Sequence, residues 1–229
     1  MSYFLHKNIY EKPINQFNMK PKTIFFDVDG TILPFDGIIY HLQKACKHFK
    51  VRVLTKKEII KYTVGYKVSE SIPKVLPETK KFVKEFTDYY RTNYIKDVKS
   101  MKPFPFVKNI FKWIKKKKIK IGIVTTKTNA QAKATLNSFK IPYDLIIGHD
   151  NVKKRKPNPE PVFKACKILK VKPEECIFFG DHPFDMRAAK SAGCIAIGVL
   201  TGWGNRNNLK KAGADFIIKD LRGLKKLIE

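Results

Sequence analysis

Cysteine is scarce in this chain: four in 229 residues, at Cys46, Cys166, Cys176 and Cys194, with no CxxC pair among them. Such spacing excludes zinc-ribbon and zinc-finger patterns and any disulfide framework, and it fits unpaired thiols in a reducing compartment. Long apolar runs are missing too. None approaches the roughly 20 residues that a membrane helix needs, so no membrane partner is expected. The first twenty residues, MSYFLHKNIYEKPINQFNMK, hold neither an extended apolar segment nor a small-residue cleavage site, which argues against secretion and for a cytoplasmic location. Acidic residues are few, 20 against 47 Lys and Arg, for a formal net charge of +27. That excess attracts polyanions whatever the chemistry, but it is mostly lysine, a mobile point charge with little base-reading geometry. Helix-turn-helix, zinc-finger and RNP-type patterns are lacking as well. A nucleic-acid partner is therefore open but not required, and a monomer or weak homodimer is the expected state.

What is there is the makeup of a folded protein, 43% hydrophobic and 29% charged, long enough for a core of about 150 residues and a smaller accessory unit. The first strong strand pattern runs over 23–28, TIFFDV, apolar until it meets Asp27, and it ends in DGT, where Gly30 gives the turn its freedom. Residues 1–21 ahead of it have little periodicity and read as an N-terminal lead or strand extension, with Met19 a second candidate start. From 34 to 102 the period becomes helical, through 40–49, 56–62, 72–75 and 79–90, with Pro73 and Pro77 as breakers and VRVL at 51–54 the one doubtful strand. The aromatics of this span (Tyr62, Tyr66, Phe82, Phe86, Tyr89, Tyr90 and Tyr94) read as helix-packing residues rather than a base-stacking platform. Alternation then resumes: helix 107–117, strand 119–126, helix 130–139, strand 144–148, helix 160–169, strand 176–181, helix 184–192, strand 194–199, a basic helix 207–211 and a last strand 215–219. Near-continuous apolar strands separated by amphipathic helices predict an α/β fold, a parallel sheet covered by helices on both faces. Its core is expected from 22–33 and 103–229, with the mainly helical unit 34–102 inserted between them.

The polar residues that interrupt this pattern fall at strand ends: Asp27, Asp29 and Thr31 after the first, Thr125 and Thr126 after the second, Asp181 and Asp185 after a later one. Lys156 lies in the KRKPNPEP loop just before a helix. In a parallel sheet all of them project to one rim, the carboxyl edge where ligands bind. Carboxylates crowded there repel unless a divalent cation and a phosphate complete the charge balance, and oxygen-only ligands favour Mg²⁺. Position then suggests roles. Asp27 at the strand end is the nucleophile toward phosphorus. Asp29, two residues on, protonates the leaving oxygen and then deprotonates water. Thr125 and the neighbouring Thr126 amide bind phosphoryl oxygens, Lys156 neutralises developing charge, and Asp181 holds the metal with Asp185 acting through water. The plainer readings are a helix cap for Asp185, an exposed loop lysine for Lys156, and surface or supporting positions for His149 and His182, which border the same rim.

These segments resemble the haloacid dehalogenase-like superfamily of hydrolases. FFDVDGT is similar to its first motif, IVTTK to the second, KRKPNPEP to the third and FFGDHPFDMRAAKSAG to the fourth, in order and with suitable gaps over about 22–220. The resemblance implies a Rossmann-like core. It matches Asp27 with the nucleophile, Asp29 with the general acid/base (its backbone carbonyl a metal ligand), Lys156 with the phosphate-binding lysine, and Asp181 and Asp185 with the acidic pair. The insertion at 34–102, NIFKWIKKKKIKIGIVTTK and AGCIAIGVLTGWG resemble the phosphoglycolate phosphatase-like branch, whose helical cap opens for substrate and closes to exclude water. An aspartate at position 29 favours phosphoryl transfer over dehalogenation, since a halide leaves without a proton. The chain departs from the family in Pro34-Phe35-Asp36, where Asp-Ser is common, and in the PFPF of 103–106. Both changes touch the cap linkers. The expectation is a Mg²⁺-dependent phosphatase for a small anionic phosphate substrate, with phosphoglycolate, a nucleoside monophosphate, pyrophosphate, a sugar phosphate and a polynucleotide end all open. A noncatalytic nucleic-acid-binding protein on the same scaffold is the rival from another class.

Overall fold

The structure, a computed structural model, describes residues 20–228; most of the N-terminal lead predicted for 1–21 lies outside them. β1 (Thr23–Phe26) is buried along its whole length, because Ile24 and Phe26 point to one face of the sheet and Phe25 to the other. After it come four helices, α1 (Asp36–His48), α2 (Lys56–Thr63), α3 (Val68–Val75) and α4 (Val83–Lys96), before α5 (Val107–Lys116) and β2 (Lys120–Val124). The rest alternates: α6 (Asn129–Ser138), β3 (Leu145–Ile147), α7 (Glu160–Leu169), β4 (Cys176–Gly180), α8 (Pro183–Ala192), β5 (Ile195–Val199), α9 (Arg206–Lys211), β6 (Phe216–Ile218) and α10 (Leu224–Ile228).

The six strands form one sheet in the order β3-β2-β1-β4-β5-β6, every pair parallel. This is the doubly wound, Rossmann-like order, in which the chain leaves β1 in one direction and returns at β4 on its other side. The crevice at that reversal lies beyond the carboxyl ends of β1 and β4. One face buries Ile24, Phe26, Ile121, Ile123, Ile177 and Phe179 beneath α5, α6 and α10. The other buries Phe25, Phe178 and Ala196 beneath α7, α8 and α9. Each fully buried Phe or Ile is worth about 1.5–3 kcal/mol of transfer free energy, so the strands carrying the rim are anchored from both sides.

Helices α1–α4 gather a separate apolar cluster of Leu42, Leu54, Ile59, Ile72, Phe86 and Tyr94. A reciprocal capping box between Thr55 and Glu58 starts α2. Two crossing segments tie this bundle to the sheet, and the Phe104 amide donates to the Ile32 carbonyl at 3.1 Å where they run side by side. VRVL at 51–54, the doubtful strand, is irregular chain, in keeping with the helical reading of this span. One local expectation fails. Pro73 does not break a helix but lies inside α3, which begins at Val68; so near the helix end its missing N–H frees only the Ser69 carbonyl.

Candidate active site

The rim residues come together because four β-strands and loops end at the same edge. The ladder continues one residue past β1, with the Asp27 amide donating to the Phe179 carbonyl at 3.0 Å, and this fixes the Asp27 side chain at the crevice. Lys156 reaches in from the loop before α7 and is buried. Its ammonium donates to Asp27 Oδ1 at 2.8 Å, Asp185 Oδ1 at 2.6 Å and the Val124 carbonyl at 2.9 Å, which uses all three of its hydrogens. Asp185 caps α8, its Oδ2 accepting the His182 amide at 3.0 Å, and its other oxygen holds Lys156. Asp181 follows β4 directly. Its Oδ2 accepts the Trp203 amide at 2.7 Å, and its backbone carbonyl accepts the Gly204 amide. One carboxylate oxygen from each of Asp27, Asp181 and Asp185 lies within 4.8 Å of the others.

Space around Asp181 is made by glycine. A methyl group on Gly30, whose φ of +78° already favours glycine, would sit 2.3 Å from Asp181 Oδ2, and one on Gly202 2.0 Å from it. Gly202, in the TGWG loop after β5, was assigned no role from the sequence.

Lys127 was missed in the same way. It is buried, with Nζ 2.9 Å from Asp29 Oδ2 and 4.1 Å from the centre of the Tyr94 ring on α4. The second-strand threonines divide the rim between them. Thr126 lines the cavity, whereas Thr125 lies one layer deeper, its hydroxyl accepting the Lys127 amide at 3.2 Å and its own amide donating to Ile147. Asp36 opens α1 as an exposed first-turn acid. His149 and His182 are both buried rather than on the surface.

Burial governs the electrostatics. It raises the carboxyls of Asp27, Asp29 and Asp181 above the ordinary carboxylate range. Lys156 opposes the shift at Asp27 and Lys127 opposes it at Asp29, while at Asp181 the neighbouring acids push further the same way. Burial pulls His182 down to about 4, and Lys156 adds to the effect, so its imidazole is neutral at pH 7. Its Nδ1 accepts the Phe184 amide at 3.1 Å, which leaves the proton on Nε2. Four buried carboxylates thus face two lysines. With all of them ionised, two negative charges are uncompensated, and one divalent cation among oxygen-only donors answers that deficit.

The crevice is roofed by α1–α4. The loop 64–67 lies against the core, where the Tyr66 ring meets Phe184 edge-on at 5.3 Å and Gly65 comes so close to His182 that a methyl group there would stand 3.2 Å from its ring. Glu70 on α3 makes a two-pronged ion pair with Arg155, the residue before Lys156. About 50 Å³ of open space remains beneath the roof, bounded by Asp27, Asp29, Lys156 and Asp181 on one side and by residues of the bundle on the other.

A doubly wound sheet carrying this acidic rim, its paired lysines and a helical roof defines a hydrolase with an enclosed crevice. Residues 24–199 match the family model described as haloacid dehalogenase-like hydrolase. The chain belongs to that family and is a phosphatase within it, of the phosphoglycolate phosphatase-like branch. It is 30% identical to a phosphoglycolate phosphatase from Aquifex aeolicus over 82% of this chain and 88% of that one. It is 31% identical to the pyrophosphatase PpaX from Anoxybacillus flavithermus over 90% and 96%. Among solved structures, a haloacid dehalogenase-like family hydrolase from Streptococcus pneumoniae superposes with a TM-score of 0.79 over 92% of this chain and 99% of that one. At 23% identity that last likeness is one of fold.

Proposed function

We propose that this chain hydrolyses a small phosphate ester or anhydride in a Mg²⁺-dependent reaction that passes through an aspartyl-phosphate on Asp27. The observation that carries the reading is the meeting of Asp27, Asp181 and Asp185 within 4.8 Å, with Lys156 bridging the first and last of them. Asp27 Oδ1 is held by Lys156, which leaves Oδ2 to attack phosphorus. The Oδ2–P bond forms as the bond to the leaving oxygen breaks. Asp29, buried and inclined to keep its proton, gives that proton to the leaving oxygen. It then takes one from the water that attacks the phosphoaspartate, so that phosphate leaves and both aspartates return to their starting states. The carboxylates of Asp27 and Asp181 and the backbone carbonyl of Asp29 would hold the Mg²⁺, with Asp185 acting through water. Bound there, the ion supplies positive charge to the phosphoryl oxygens. Lys156 supports the same charge, and Thr125 and Thr126 flank it. Residues 22–33 and 103–229 act as the catalytic core, and 34–102 act as a cap whose closure excludes water.

The relatives are named for phosphoglycolate and pyrophosphate, and both substrates belong in the first assay. Phosphate release is measured with and without Mg²⁺ over glycolyl, sugar, nucleoside and pyrophosphate substrates, with Asp27→Asn as control. Metal-dependent turnover that the substitution abolishes is expected. Turnover that survives Asp27→Asn would overturn the covalent route. A noncatalytic binding protein on this scaffold is disfavoured by the intact set of Asp27, Asp29, Lys156 and Asp181.

A further inference from the structure

Three of the four cysteines, far apart in sequence, meet in the fold. Cys166 lies in the second half of α7, Cys176 opens β4, and Cys194 stands directly ahead of β5. They gather on the sheet face beneath α7 and α8, at the amino ends of the strands and so at the edge opposite the aspartate rim. The Cys166 and Cys176 sulfurs are 4.0 Å apart, and the Cys194 thiol interacts with both. Cys46 is buried elsewhere, in the cluster of α1–α4. The three thiols are not equivalent. Cys176 is fully buried and its S–H has an acceptor in the Lys172 carbonyl at 3.3 Å; contact with Cys166, contact with Cys194 and burial all keep its proton on. Cys166 reaches the surface at 3% exposure. Hydrogen bonds from the thiols of Cys176 and Cys194 hold it well below the ordinary thiol range, against the opposing effects of burial and of Glu174. Thiolate is the form that reacts with oxidants.

The geometry points to a peroxide-oxidisable dithiol in this cluster, with Cys166 the sulfur that is attacked and Cys176 the one that closes the bond. The oxidant is hydrogen peroxide, small enough to reach a sulfur that only grazes the surface. The Cys166 sulfur bonds to one peroxide oxygen as the O–O bond breaks, and the hydroxide released takes up a proton as water. Cys176 then gives up its proton and displaces the oxygen from the sulfenic acid of Cys166, and that oxygen leaves as a second water. Two thiols lose two electrons, and one peroxide becomes two waters. The gap of 4.0 Å closes to a bond of about 2.05 Å by side-chain rotation, helped by the short connection from Lys170 to Glu175 between α7 and β4. The product is a bridge that pins α7 to the start of β4.

The test reads thiols rather than turnover, so it stands or falls apart from the phosphatase reading. The full, unaltered chain is treated with hydrogen peroxide at neutral pH, unfolded in iodoacetamide, digested without reductant and analysed by mass spectrometry. A peptide joining Cys166 to Cys176 is expected as the leading cross-link, about tenfold or more above any link to Cys46, and dithiothreitol should abolish it. In Cys176→Ala the closing sulfur is gone, and dimedone, which traps sulfenic acids, is expected to label Cys166 unless Cys194 closes the bond in its place. Either result marks Cys166 as the attacked sulfur. Recovery of Cys166 and Cys176 as alkylated thiols, under peroxide that oxidises the same residues in the urea-unfolded chain, would overturn the inference. Cross-links spread evenly over all four cysteines would overturn it as well, because they would report scrambling in unfolded chains rather than a pair set by the fold.

Discussion

In the proposed reaction, Asp29 and Lys127 form the pair on which proton transfer would turn. Burial raises the Asp29 carboxyl and Lys127, 2.9 Å away, restrains the rise, so the residue can both carry a proton and release it. Asp29→Asn is expected to lower kcat on substrates with poor leaving groups by about 10²–10⁴-fold. With p-nitrophenyl phosphate, whose leaving oxygen needs no proton, the first step should survive and the hydrolysis of the phosphoaspartate should not. Stopped-flow absorbance then shows a burst of p-nitrophenolate, stoichiometric with enzyme, ahead of slow turnover. Equal losses on both kinds of substrate with no burst would reduce Asp29 to a structural acid. Asp27, Asp29, Asp181 and Asp185 were legible in the sequence because each interrupts or follows an apolar strand that has no other use for charge. Lys127 was not. In a chain with 47 Lys and Arg one more lysine after a strand carries no sign of burial, and the residues that bury it, Tyr90 and Tyr94, come from α4 more than thirty positions away.

Among the elements, the strands were the easiest to read. A strand covered on both faces must be apolar throughout, and TIFF, CIFFG and IAIGV leave little choice. The inserted helices were harder, since short helices held by tertiary packing tolerate what propensity forbids, as Pro73 within α3 does. The docking of α3 on the core could not be read at all. It depends on Glu70 meeting Arg155 across 85 positions and on Gly65 fitting against His182. In the proposed function, that ion pair would latch the cap over the core. An exposed pair is worth about 1 kcal/mol or less, up to roughly a fivefold change in an equilibrium. Glu70→Gln should therefore raise KM by about two- to fivefold with little change in Tm, and added salt should produce a similar rise in the unaltered enzyme while changing the variant much less. A variant as salt-sensitive as the unaltered enzyme would show that the latch does not govern closure.

At the scale of the whole molecule, a chain with a net charge of +27 gathers, among the described residues, three buried carboxylates within 4.8 Å of one another. In the proposed function a positive exterior would draw phosphate substrates toward the crevice, and the acidic interior would make the fold itself sensitive to metal and pH. Asp27, Asp29 and Asp181 all bind protons more tightly in the metal-free fold than ordinary carboxyls do. A carboxyl whose pKa is raised on folding contributes stability that is fully present below the ordinary carboxylate range and is lost as pH climbs through the raised values. The half-buried acids Glu58, Glu160 and Glu175, held below the ordinary range by hydrogen bonds and neighbouring cations, act in the opposite sense at low pH. A comparison with and without Mg²⁺ at one pH cancels their part. The cation binds the ionised carboxylates and must displace their protons, so its stabilising effect grows with pH. Differential scanning fluorimetry is expected to show a rise in Tm on adding Mg²⁺ that is small near pH 5 and several degrees near pH 8. Asp181→Asn removes one of the crowded charges, so it should raise the metal-free Tm near pH 8 and abolish most of the Mg²⁺ gain. A gain equal at the two pH values, or one that persists in Asp181→Asn, would mean that the ion stabilises the protein from somewhere other than the rim.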